Sequence, residues 1–169
     1  MGAAVLDLGC ATGELLTERL AGRFAVTGVD ISGRQIELAR RRLPGATFVR
    51  ADMTEVRFPP ASFDGVAAFY SLTHLPREEV LPLLRSVFSW LRPGGLFVAS
   101  LGAGDDPGGV EADWLGVPMY FSGFDAAASR RLVEAAGFEV VGAREEADDE
   151  DGVRVVFLWI VARKPGGRE

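Results

Sequence analysis

One cysteine, one histidine, few cations and no long apolar run set the first limits on this sequence. A lone thiol, Cys10, can form no internal disulfide, so an oxidising compartment is not implied. No apolar run approaches the ~20 residues that span a bilayer, and the N-terminus has no basic stretch followed by an apolar one. Neither a membrane association nor a signal peptide is expected, and the cytoplasm is the expected location. Positive charge is in deficit: 18 Lys and Arg against 24 Asp and Glu leave a net charge of −6. Nucleic-acid binders usually show the opposite balance. The only basic cluster, Arg40-Arg41-Arg42, falls at the end of an expected helix, where cations complement the helix dipole. Repeats, low-complexity runs and a second domain are also missing. The 169 residues suffice for a single domain, 1–169, with a sizeable core. No metal site is expected.

What the sequence does have is concentrated near its start. Val5 to Leu8 is a short apolar run interrupted by Asp7, Gly9-Cys10-Ala11-Thr12-Gly13 is a glycine turn, and Glu14 to Leu20 is helix-forming. The order is strand, tight loop, helix. Gly9 and Gly13 free the loop to take left-handed backbone angles and let a ligand lie against the main chain. The following helix is expected to aim its unpaired N–H groups and positive dipole end at that ligand. The spacing is G-x-x-x-G, without the middle glycine of the dinucleotide fingerprint G-x-G-x-x-G. A carboxylate two residues before the first glycine repels phosphate and suits a ligand that carries positive charge. Cys10 reads as a small packing residue within the loop, with a reactive thiol as the alternative.

Further along, strands and helices alternate. A strand over Ala25–Val29 ends in Asp30. A helix opens with the capping box Ser32-Gly33-Arg34-Gln35, carries Ile36, Ala39 and Leu43 at helical spacing, and stops at Pro44-Gly45. Thr47 to Arg50 is a third strand and Phe63 to Phe69 a fourth. A helix from about Arg77 to Leu91 has Pro82 near its first turns. After the turn Arg92–Gly95, Leu96 to Leu101 is the fifth strand. This pattern is that of a parallel sheet covered on both faces. Gly102 to Gly123 has no clear period and is expected to be an irregular binding loop or lid. A helix from Asp125 to Ala136 stops at Gly137. Phe138–Arg144 and Val153–Arg163 form an antiparallel hairpin across an acidic turn, Glu145 to Gly152.

The glycine turn with its preceding Asp7, the acidic residues at the next strand tips and the terminal hairpin together resemble the class I S-adenosylmethionine-dependent methyltransferases. That resemblance covers essentially the whole chain. It implies an α/β, Rossmann-like, doubly wound seven-stranded sheet, mostly parallel with the last strand antiparallel, in the order 3-2-1-4-5-7-6. Most of the helices that family members carry before the first strand are absent from these residues. A homodimer, or weak cofactor binding, is expected on that account.

The family's cofactor carries an ammonium and a sulfonium and no phosphate, and S-adenosyl-L-homocysteine is the product. By resemblance, Asp7 faces the ammonium end, and the loop at Gly9, Cys10, Ala11 and Gly13 lies against the methionine part. Asp30, 17 residues past Gly13, stands near the spacing at which a carboxylate accepts from both ribose hydroxyls; its competing role is to cap the next helix. Ile31 lies against adenine or ribose. Asp52 accepts from the adenine amino group and Met53 packs on the ring, unless Asp52 is only a turn carboxylate. Phe69 and Tyr70 flank the methyl group. His74 either takes a proton from the acceptor or bonds a backbone carbonyl. Trp114, Met119, Tyr120 and Phe121, in the segment Trp114 to Phe124, form the substrate wall or merely pack the loop on the sheet.

The implied reaction is methyl transfer from S-adenosyl-L-methionine to a small organic acceptor, on oxygen or nitrogen. A protein that binds this cofactor without activity, as a regulatory or partner subunit, is the alternative from another class. A nicotinamide oxidoreductase is disfavoured by the missing middle glycine, and nucleic-acid methylation by the negative charge and the lack of an asparagine-proline-proline-aromatic motif.

Overall fold

The computed structural model of the chain describes residues 2–14, 16–150 and 153–166. Leu15, within the stretch expected to form the first helix, and Asp151 and Gly152, expected in the acidic turn, lie outside them. Among the described residues, nine strands and four α-helices follow in order: β1 (Ala4–Leu8), α1 (Thr17–Ala21), β2 (Ala25–Asp30), α2 (Gly33–Arg42), β3 (Thr47–Arg50), β4 (Phe63–Ala68), α3 (Arg77–Trp90), β5 (Leu91–Gly102), β6 (Asp106–Trp114), β7 (Val117–Gly123), α4 (Ala126–Ala135), β8 (Glu139–Glu150) and β9 (Val153–Arg163). A 3-10 turn, Leu72–His74, separates β4 from α3. Seven strands make one sheet in the order β3-β2-β1-β4-β5-β9-β8, and β6 and β7 make a separate ribbon. With the ribbon set aside, this is the expected order. β1 to β5 pair parallel, while β9 runs antiparallel to both its neighbours.

The parallel strands are apolar along much of their length because both faces are covered. Leu6, Leu8, Val29, Val66, Phe97 and Ile160 are almost wholly excluded from water. Each such side chain contributes about 1.5–3 kcal/mol by leaving water. Helix α3 turns Val80, Leu83, Leu84, Val87 and Trp90 into this core; Pro82 lies past the first turn, at the sixth helical residue, where it removes the in-helix bond to the Glu78 carbonyl. Ser32 caps α2 by accepting from the Gln35 amide at 3.4 Å. The reciprocal half of the expected capping box is not formed: the Ser32 amide donates to Asp30 Oδ1 at 2.8 Å instead. Asp125 caps α4 in the same manner, accepting from Ala128 at 2.7 Å.

Four expectations about the chain are corrected. The first helix begins at Thr17 rather than Glu14, and Leu16 holds the N-cap position without a side-chain bond. β5 starts at Leu91, so the Arg92–Gly95 turn is an irregular opening of that strand, with a register shift opposite Phe63 and Gly65. The acidic stretch from Glu145 is strand to Glu150, paired with β9, because that neighbour is apolar enough to anchor the edge. The largest correction concerns Gly102 to Gly123. Gly102 ends β5, and Asp106 to Gly123 is an antiparallel ribbon closed by Leu115 (φ 51°) and Gly116 (φ 84°), a two-residue turn with both angles positive. Such turns match strand twist but favour Asn-Gly. Leucine in the first position hides the hairpin from a reading by residue type.

Candidate active site

The carboxyl ends of β1, β2 and β3 carry Asp7, Asp30 and Asp52, as the alternation of strands and helices requires. The glycine loop between β1 and α1 is fastened to β2. The amides of Gly9 and Cys10 donate to the Val29 carbonyl at 2.8 and 3.0 Å, and that of Gly13 donates to Cys10 at 2.8 Å. Ala11, in the left-handed region at φ 46°, donates to Asp30 Oδ2 at 2.9 Å. These four amides are therefore engaged within the chain. A phosphate-binding loop needs such donors aimed outward, and α1, with five residues, begins too late to supply them. The expectation that helix N–H groups face the ligand is not met.

What remains at the site is negative. Asp7 is buried and its Oδ2 accepts from the Thr17 hydroxyl at 2.5 Å. Burial pushes its carboxyl up to about 6, with the Thr17 bond opposing the shift and the Asp30 charge adding to it. A desolvated carboxylate beside a loop of engaged amides fits a cationic group and repels an anionic one, so this set of acceptors suits S-adenosylmethionine. Burial, with the charges of Asp7 and Asp30, pushes the Cys10 thiol up to about 12. Cys10 is buried and faces Gly28, where an added Cβ would stand 2.8 Å from its sulfur.

Asp30 accepts on both oxygens, from Ala11 and Ser32, which fixes its plane and leaves one further lone pair on each. Asp52 Oδ1 accepts from the Thr54 amide and hydroxyl at 2.8 Å each, and the turn does not use its second oxygen. Ile31 is 66% exposed, an unusual placement for a β-branched side chain at a strand tip. Met53 is half-buried against the core.

After β4 the chain makes a sharp corner. Tyr70 is left-handed, at φ 52°, and its amide donates to the hydroxyl of the buried Ser100 at 2.7 Å. The Ser71 hydroxyl donates to the Leu8 carbonyl at 2.9 Å, bringing this corner against the glycine loop. Phe69 packs its ring on Trp159 with centroids 5.0 Å apart, and Tyr70 meets Phe157 at 4.9 Å. His74 Nδ1 lies 3.1 Å from the Tyr120 carbonyl on β7. A carbonyl only accepts, so Nδ1 carries the proton and Nε2 the lone pair of the neutral ring.

A pocket of about 980 Å³ opens beside this corner, walled by Tyr70, His74, Trp114, Phe121 and Phe157. Asp106, Glu111 and Glu145 and one cation, Arg154, also border it. Of the expected site residues it touches only Tyr70, His74, Trp114 and Phe121; Asp7, Asp30 and Asp52 lie off it, along the neighbouring strand tips. Met119 and Tyr120 do not line it, and the part of Tyr120 that meets the site is its carbonyl. Thr17, Ser71 and Ser100 were not evident as site residues in the sequence, because short hydroxyl side chains at loop and strand ends carry no pattern of their own.

This geometry has close counterparts. The methyltransferase domain family matches residues 5–95, just over half of the chain. An S-adenosylmethionine-dependent methyltransferase from Methanosarcina mazei shares the fold with a TM-score of 0.84 at 21% identity, over 98% of this chain and 94% of that one. The 1,6-didemethyltoxoflavin-N1-methyltransferase of Burkholderia thailandensis, solved with 1,6-didemethyltoxoflavin and S-adenosylhomocysteine bound, is 27% identical with a TM-score of 0.75, over 97% of this chain and 72% of that one. The 27-O-demethylrifamycin SV methyltransferase of Amycolatopsis mediterranei is 38% identical over 124 residues, 66% of this chain and 43% of that protein. The chain spans about two fifths of the length of the curated relatives it matches. It belongs to the class I S-adenosylmethionine-dependent methyltransferases. No helix among the described residues is long and apolar enough to cross a membrane.

Proposed function

We propose that this chain transfers a methyl group from S-adenosylmethionine to a small organic acceptor, at oxygen or nitrogen, held in the pocket beside Tyr70 and His74. The observation that carries the proposal is adjacency. The corner after β4 joins a row of three acidic strand tips on one side to an aromatic-walled cavity of about 980 Å³ on the other. That volume suits a drug-sized acceptor. When bound, the cofactor supplies a methyl group already activated by positively charged sulfur.

The residues divide the remaining work. Asp7 offers a buried negative charge to the ammonium end. Asp30, its plane fixed by two amides, accepts from the ribose hydroxyls, and each charge-assisted bond is worth about 1.5–3 kcal/mol. Asp52 accepts from the adenine amino group through the oxygen its turn leaves unused, and Ile31 and Met53 cover the ring. Phe69 and Tyr70 flank the methyl position. Trp114 and Phe121 present ring surface to the acceptor, and holding it in line can supply ~7–11 kcal/mol of the barrier. His74 takes the acceptor proton on Nε2, with Nδ1–H held by Tyr120.

The acceptor is read as a small molecule rather than a nucleic acid because the one basic cluster is internally engaged. Arg40 donates to the Phe48 carbonyl, Arg41 pairs with Glu37 and Arg42 with Glu14.

A labelled methyl donor incubated with the protein and a metabolite extract tests the proposal: a labelled small molecule is expected. Cofactor binding with no labelled product would favour the binding-subunit alternative. With the acceptor found, His74→Ala is expected to lower turnover ~10²–10⁴-fold when the acceptor atom is a protonated hydroxyl. Affinity for S-adenosylhomocysteine should stay unchanged. Full activity in that variant would assign His74 to structure alone.

A further inference from the structure

Arg77 opens α3 but its side chain does not serve that helix. A helix N-terminus is the positive end of the dipole and favours anions such as Glu78 and Glu79, not a cation. The guanidinium turns instead to the base of the β6–β7 ribbon. Nε donates to the Asp106 carbonyl at 2.7 Å, while Nη2 donates to the Gly123 carbonyl and pairs with the Asp105 carboxylate. Its carbon lies 4.6 Å from the centroid of the Phe124 ring. Asp106 is the first residue of β6 and Gly123 the last of β7, so one planar fork joins both ends of the ribbon. Lysine could not span those acceptors in the same way.

The ribbon in turn reaches the histidine. Ser122 donates to the Leu75 carbonyl at 2.5 Å, and two residues earlier the Tyr120 carbonyl meets His74 Nδ1. His74 also stacks obliquely on Phe121 of the same strand, with centroids 4.8 Å apart. A solvated neutral histidine carries its proton chiefly on Nε2; here the carbonyl demands Nδ1–H. The partner of one ring nitrogen decides the state of the other.

We infer that Arg77 is a positioning residue. By clasping the ribbon base it keeps the Tyr120 carbonyl against His74, and so holds the only imidazole of the chain with its Nε2 lone pair available on the wall of the acceptor pocket. The catalytic meaning of this rests on the methyl-transfer reading; the clasp itself does not.

The single histidine makes the test clean. In protein labelled with ¹⁵N-histidine, at a pH above the imidazole titration, the two ring nitrogen shifts report the tautomer directly. The wild type is expected to show Nδ1–H, Arg77→Ala to revert mainly to Nε2–H, and Arg77→Lys to fall between them. Wild-type protein in the Nε2–H form, or Nδ1–H undiminished in both variants, would overturn the inference. If Arg77→Ala does not fold, Arg77→Lys decides alone: a shift toward Nε2–H supports the clasp and the wild-type tautomer refutes it. In active enzyme the tautomer change should accompany a roughly 10²-fold loss of turnover, with affinity for S-adenosylhomocysteine retained. A tautomer change in a chain that transfers no methyl group would leave the clasp standing and remove the catalytic reading; methyl transfer with no tautomer change would do the reverse.

Discussion

Gly9→Ala is expected to destabilise the protein by about 2–5 kcal/mol and to abolish cofactor binding wherever the variant still folds. Gly9 has φ 79°, and an L-residue in that region costs about 1–2 kcal/mol. The new Cβ would also stand 2.4 Å from the Ser71 Cβ, and overpacking of this kind adds about 1–3 kcal/mol. Ser71 cannot retreat cheaply, since it is buried and its hydroxyl is bonded to Leu8. Any relief must therefore push the glycine loop away from the corner that carries Tyr70. Gly94→Ala is the control: its φ is 81° but nothing lies within 4 Å of the added carbon, so only the backbone term should appear. Urea unfolding of the two variants separates strain from collision. Equal losses would show that the loop and the corner do not abut.

Asp7→Asn is expected to have opposite effects on stability and binding. Because burial raises the Asp7 pKa from 3.8 to about 6, the fold favours the protonated carboxyl. Its stabilising contribution is fully present below the unfolded pKa and lost as pH rises through the folded one. Two units correspond to about 3 kcal/mol at neutral pH. An amide keeps an acceptor for Thr17 without the desolvated charge. The variant should therefore exceed the wild type in stability by about 1–3 kcal/mol at pH 8 and by less at pH 5, measured by urea unfolding. It should bind S-adenosylhomocysteine, which retains the ammonium group, at least ~10-fold more weakly at pH 8. The wild type should itself bind about 10-fold more weakly at pH 5 than at pH 8, as Asp7 takes up its proton. A variant less stable than the wild type at pH 8 would mean that Asp7 serves the fold rather than a ligand. Function kept at the expense of stability is the usual mark of a binding site.

The sheet was legible in the sequence because its signals are local. Apolar runs of strand length, the Ser32 and Asp125 caps and the Gly137 stop each act within a few residues, and their alternation marks a parallel sheet; the order of strands was implied by the family resemblance. Asp7, Asp30 and Asp52 were legible for the same reason, since a residue at the end of a parallel strand lies at the carboxyl edge of the sheet. The ribbon was not, because Leu115 occupies a turn position that residue preferences assign to asparagine. With the ribbon unseen, the sequence did not show which residues of the expected wall would reach the pocket, Trp114 and Phe121 but not Met119 or Tyr120, nor which backbone carbonyl would meet His74. The hydroxyls of Thr17, Ser71 and Ser100 act across 10, 63 and 30 residues of sequence. Partners so distant leave no trace in spacing.

Isothermal titration of S-adenosylhomocysteine into the wild type and Asp30→Ala at pH 8 tests the acidic row most directly. Saturable one-to-one heat in the wild type is the expected result, with affinity reduced by ~100-fold or more in the variant as two bonds to the ribose are lost. A wild-type protein that gives no binding heat, or a variant that binds as tightly as the wild type, would contradict it.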